Sequence, residues 1–135
     1  MSKYKFLLAA LLGIASLASF AAPKDKKDDG PKRVYMYGVS VNFNDSVMYM
    51  TDVQYLDSVV VNKDGSIQNY SNYSTQMKLY LEGVLGKSHQ TCAVIYSDDR
   101  NKLEKRFVKM RKRCLAAKNR QLIQIGADAF AFRKE

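Results

Sequence analysis

Residues 100–120 hold ten lysines and arginines against one acid, Glu104. At about 100° per residue along a helix, Leu103, Phe107, Met110, Cys114 and Ala117 share one stripe, and Lys102, Lys105, Arg106, Lys109, Lys112, Arg113 and Arg120 occupy the opposite arc. One face packs and the other is almost purely cationic. Such an arc is an electrostatic platform for phosphate, lipopolysaccharide, anionic polysaccharide or an acidic partner protein. A solvated helix face is the plainer reading, because cations near a helix C-terminus also complement its dipole. Nucleic acid fits poorly, since the aromatics that would stack bases fall in strand patterns.

Covalent chemistry finds less to work with. His89 is the one histidine, and nothing near it resembles a nucleophile elbow, a phosphate loop or a paired-carboxylate motif. His89 and Cys92 stand three residues apart at a strand edge, which directs them to opposite faces of a continuous strand. One histidine and two cysteines fall short of the four ligands of a structural zinc site, so neither metal nor cofactor is expected. Two readings of Cys92 and Cys114 stand. They form a strand-to-helix disulfide contributing about 3 kcal/mol in an oxidising compartment, or they are two buried thiols acting as small hydrophobes.

The elements that must position these groups follow from periodicity. Tyr35, Tyr37, Val39, Val41 and Phe43 alternate with Gly38, Ser40 and Asn42, a half-buried strand. Asn44-Asp45-Ser46 supplies turn chemistry, and Val47, Tyr49, Thr51, Val53 and Tyr55 continue the alternation in a second strand. Ser58–Val61 predicts a short third strand closed by Lys63-Asp64-Gly65. The period then shifts: Tyr73, Met77, Tyr80, Leu81 and Val84 predict a helix over 73–85, with Ser71 or Asn72 as N-cap and Gly86 as its stop. Thr91–Tyr96 reads as a buried strand, Ser97-Asp98-Asp99 caps the basic helix over about 99–118, and residues 121–132 read as a last strand bent near Gly126 and Asp128. The order ββ(β)αβαβ predicts an α+β two-layer sandwich related to the ferredoxin-like group, a mainly antiparallel sheet with both helices on one face.

The N-terminus reads as an export signal. Lys3 and Lys5 precede the apolar run Phe6–Ala15, and Ser19-Phe20-Ala21 suits a signal peptidase, predicting cleavage after Ala21. The run is shorter than the roughly 20 residues a retained anchor needs. Removing the two lysines lowers the net charge from +9 to +7. Residues 22–32 lack large apolar side chains and read as a flexible charged leader, leaving 33–135 as a single domain that buries roughly 65% of its unfolded surface. Most of the nine tyrosines fall in strand phases and read as core or core rim, with Tyr70 outside any pattern.

The segments Val34–Ser40, Asp45–Val47, Thr51–Gln54 and Thr91–Tyr96 resemble a family of small exported proteins, periplasmic or secreted, of gut Bacteroidota. The likeness spans most of residues 33–133 and implies a compartment, without an activity, cofactor or catalytic residue. The leading functional expectation is a non-enzymatic envelope module that binds a partner protein or glycan. The alternative is anionic-polymer binding through the basic helix, and a distant third is a Cys-dependent hydrolase, which requires an exposed thiol of low pKa.

Overall fold

The computed structural model describes residues 30–134; the expected signal peptide, and the expected leader up to residue 29, lie outside the described residues. Strand β1 (Gly30–Val41) is the longest element and the axis of the sheet. It starts three residues inside the expected leader: Gly30, Pro31 and Lys32 pair with Val61, Val60 and Val59. Pro31 has no N–H to give, and it stands where β1 is paired on one side only, the β4 ladder beginning at Tyr35.

Strands β2 (Val47–Thr51) and β3 (Gln54–Val61) lie along one edge of β1, both antiparallel to it. Strand β4 (Thr91–Ser97) takes the other edge, and β5 (Gln121–Ile125) lies parallel to β2. Between β2 and β3 the ladder breaks at Asp52-Val53, where the Thr51 hydroxyl accepts the Gly38 N–H at 2.8 Å and donates to the Asp52 carbonyl at 3.0 Å. A second irregularity, between Lys32 and Val34, faces Ser58 at φ 61°.

The α+β class, the mainly antiparallel sheet and the element order are those expected from the sequence. The helices, however, divide between the two faces. Helix α1 (Tyr70–Leu79), prolonged by a π-helical turn at Tyr80–Val84, packs Tyr73, Met77 and Leu81 with Val34, Met36, Tyr49 and Val94. Helix α2 (Arg100–Ala116) packs Leu103 and Cys114 with Tyr37, Val39 and Met50 on the opposite face. Strand order explains the split. β3, β4 and β5 run parallel to one another, so α1 and α2 are both crossovers between parallel strands, which take the right-handed path. The first crosses the sheet from the β3 edge to β4 and the second returns from β4 to β5, so equal handedness puts the two helices on opposite faces.

Both phases of β1 are therefore buried, where the alternation predicts one apolar and one solvated phase. Gly38 lies on the α1 side: a Cβ there would come within 2.5 Å of Met77 Sδ and 3.1 Å of Phe132 Cζ. Helix α1 also begins earlier than the pattern predicts, behind Asn69 at φ 61°. It ends with Leu85 N–H on the Tyr80 carbonyl at 3.1 Å, followed by Gly86 at φ 69°.

The expected final strand is two pieces. β5 stops at Ile125, and a turn closes with the Ala129 and Phe130 N–H groups on the Gly126 carbonyl at 3.0 and 3.1 Å. The chain then returns over the α1 face, where side-chain amides replace a strand partner. Gln54 Nε2 donates to the Phe130 carbonyl at 3.0 Å and Gln54 Oε1 accepts the Phe132 N–H at 2.8 Å; Gln76 does the same with the Arg133 carbonyl and N–H, each at 2.8 Å. Phe132 is thereby held in the core beside Tyr73.

Candidate functional site

Helix α2 is oriented by its two ends and its apolar stripe. Asp99 accepts the Lys102 N–H at 3.1 Å and so caps the first turn, as the oxygen-rich triplet predicts. Leu103 and Cys114 are buried, Phe107 and Met110 partly so, and Phe107 meets Tyr37 edge-on at 5.2 Å between ring centroids. On the flank toward β5, Arg111 Nε donates to Gln124 Oε1 at 3.2 Å, and Gln124 Nε2 donates to Asp52 at 2.6 Å. Those contacts fix the helix roll, and with it the direction of the cations.

All seven basic residues of the expected arc are exposed, but they do not form one cluster. Lys105, Lys109 and Lys112 stand along the outer ridge around Val108, beside Asn101 and Glu104. Arg106, Lys109 and Arg113 rim an open cleft of about 250 Å³ between α2 and the β1–β4 part of the sheet, with Tyr37, Ile95 and Met110 as the rest of its lining. Arg106 and Arg113 are seven residues apart, about 10 Å along the axis. Lys102 belongs to the first turn, and Arg120 lies beyond the helix, its guanidinium 3.6 Å from Met48 Sδ. Among the described residues, the one ion pair on α2 is Arg100 with Glu104 at 3.0 Å, so the helix's single acid is already engaged.

The sheet residues of the cleft have no signal of their own in the sequence. Tyr37 and Ile95 come from strands nearly 60 positions apart and share the cleft only because Tyr37 pairs with Ile95 across β1 and β4. Burial holds the Tyr37 hydroxyl above the ordinary tyrosine pKa, an effect that nearby Arg106 partly offsets. The phenol is thus a neutral donor beside three cations.

The cysteines do not meet. Cys92 packs with the α1-side core and Cys114 with the α2-side core, so of the two readings it is the free thiols that the structure holds, on opposite faces of the sheet. Burial raises the pKa of both, with a Ser40 hydrogen bond partly opposing it at Cys92. Neither has the depressed pKa that thiolate chemistry requires. His89 sits on an exposed loop at φ 61°. Its neighbour Gln90 is buried and accepts from Ser40 Oγ at 2.6 Å, while its N–H donates to Glu82 at 3.1 Å. Tyr70 is not idle: its hydroxyl donates to the Val94 carbonyl at 2.8 Å and accepts the Val94 N–H at 3.1 Å, covering the outer edge of β4. Among the described residues no group of His, Cys, Asp and Glu is arranged to hold a metal ion, and no helix is long and apolar enough to cross a membrane.

With the α2 flank and its cleft as the candidate site, comparison with protein-family models, with curated proteins and with solved structures gives no match.

Proposed function

We propose that this chain is an exported, non-enzymatic binding module of the bacterial envelope that takes an anionic polymer, lipopolysaccharide or an acidic glycan, on the α2 flank. One observation carries the reading: Arg106, Lys109 and Arg113 rim a cleft floored by Tyr37, Ile95 and Met110, and have no ion pair among the described residues. Cations on a low-dielectric wall focus potential more strongly than the same charges on an open surface. Guanidinium groups add bidentate recognition of sulfate, phosphate or carboxylate. This favours an anionic ligand over the neutral-glycan or partner-protein reading. The raised thiol pKa values weigh against cysteine hydrolysis.

The test is retention of residues 22–135 on immobilised heparin and lipopolysaccharide across a salt gradient. Neutralising three charges on a linear polyanion should give a salt slope of about 2, at roughly 0.7 per contact. Arg106→Glu with Lys109→Glu and Arg113→Glu should abolish retention, and Lys63→Glu with Lys78→Glu should preserve it. Equal losses in both variants would reduce the effect to net charge and remove the site.

A further inference from the structure

A second surface lies at one end of the sheet. β1 ends there, β2, β4 and β5 begin there, and both helices terminate there, so the loops 42–46, 85–90 and 117–120 meet at one pole. Asn42 Nδ2 donates to the Ser88 carbonyl at 2.9 Å, and Gln121 N–H to the Ser46 carbonyl at 2.9 Å, which ties the first loop to the other two. Phe43, in the hairpin turn, is 87% exposed; Val84 is 72% and Leu115, in the last turn of α2, 56% exposed. Neither core uses them.

The charge around them is mainly positive. Lys87, Lys118 and Arg120 are exposed on the same loops, against Asp45, which accepts the Val47 N–H at 2.8 Å, and Glu82, in the turn that carries Val84, which is engaged by Lys78 and the Gln90 N–H. Asp64, Asp98 and Asp99 lie at the other pole, by the β3–α1 and β4–α2 connections. That other pole also carries Lys63, Arg100 and Lys102, so what sets the first pole apart is its exposed apolar side chains beside cations.

We propose that this pole seats on an anionic lipid surface, with Phe43 entering the interface and Lys87, Lys118 and Arg120 on the headgroups. An aromatic tip ringed by cations suits the boundary between headgroups and acyl chains. This contact is distinct from the α2 flank and stands whether or not that flank binds a polymer.

The chain contains no tryptophan, so Phe43→Trp places a single reporter at the tip. Residues 22–135 carrying this substitution should show blue-shifted emission with vesicles of phosphatidylcholine plus phosphatidylglycerol, and none with phosphatidylcholine alone. In co-sedimentation, Phe43→Ser should lower binding to the anionic vesicles about tenfold or more, and Lys118→Glu with Arg120→Glu should lower it further. Heparin retention should be unchanged by Phe43→Ser. Unshifted emission, or vesicle binding that Phe43→Ser leaves intact, overturns the proposal. In the second case, sensitivity to the Arg106, Lys109 and Arg113 reversals would assign lipid contact to α2, and heparin retention lost with Phe43→Ser would assign the pole to a soluble polyanion.

Discussion

Gly38 and Met77 should be energetically coupled, and the size of the coupling follows from their contact. A methyl at residue 38 would sit 2.5 Å from Met77 Sδ and 3.1 Å from Phe132 Cζ, both side chains buried. Replacing a strand glycine with alanine ordinarily gains about 0.5–1 kcal/mol, but forcing a methyl into a filled core costs about 1–3 kcal/mol. Gly38→Ala should thus be destabilising by about 1–2 kcal/mol, a loss of several degrees in Tm for a domain of this size. Met77→Ala alone should cost about 2–5 kcal/mol by leaving a cavity. In the double variant the new methyl occupies part of that cavity, so the combined loss should fall short of the sum by at least about 1 kcal/mol. Urea denaturation of the four proteins at neutral pH reads this cycle directly. Additivity within about 0.5 kcal/mol, or a stabilising Gly38→Ala, would refute the claim that helix α1 is seated by the missing side chain of residue 38.

Gln54→Ala removes both hydrogen bonds that hold the returning tail, and should cost about 1–3 kcal/mol and speed hydrogen exchange at the Phe132 amide; unchanged exchange would mean that Phe132 packing alone retains it. Tyr70→Phe leaves the Val94 N–H and carbonyl on the outer edge of β4 without their phenolic partner, so urea denaturation should show a loss of about 1–2 kcal/mol. Alkaline pH should destabilise the fold: burial raises Tyr37, Cys92 and Cys114 in the folded chain, so the unfolded chain releases these protons first. Stability from these groups is full below their unfolded values, about 8.5 for Cys and 10 for Tyr, and is lost as pH rises through the folded values. Urea midpoints should fall between about pH 8 and about pH 10.5, less so for Cys92→Ala with Cys114→Ala. A fall as steep in that variant would assign the effect to other groups.

Local pattern carried the elements, and pairing decided what they did. The order of strands and helices, the Asp99 cap and the amphipathic stripe of α2 are written in neighbouring residues and appear where the periodicity puts them. The placement of helices on both faces is not local, because it depends on β4 joining the edge of β1 opposite β3. With that adjacency unknown, Gly38 and Ser40 read as solvent positions, and a bridge between Cys92 and Cys114 stands open beside two separate thiols. The tail escapes the pattern for a related reason: Phe130 and Phe132 keep strand alternation, yet the backbone there is held by the Gln54 amide, and at Arg133 by that of Gln76, partners that no strand pattern announces. Tyr37 and Ile95 likewise join the candidate cleft only through the β1–β4 register.

The cations of α2 can be sorted by what already uses them. A helix C-terminus carries roughly half a negative charge and acts within its last turn, so Arg113, with Lys118 and Arg120 just beyond, more than satisfies it. Arg100 is engaged by Glu104, and Arg111 by Gln124. Lys105, Arg106 and Lys109 fall outside all of these: they are too far upstream for the dipole and have no ion pair among the described residues. Their positive charges repel one another along the helix at three- and four-residue spacing, which disfavours the isolated helix by a few tenths of a kcal/mol per pair. A merely solvated face relieves that repulsion by mixing signs, and residues 105–113 contain no acid. Charge that no cap, dipole or pair employs, kept at a cost to its own helix and, at Arg106 and Lys109, set on the rim of an apolar cleft, is what an anionic ligand would relieve.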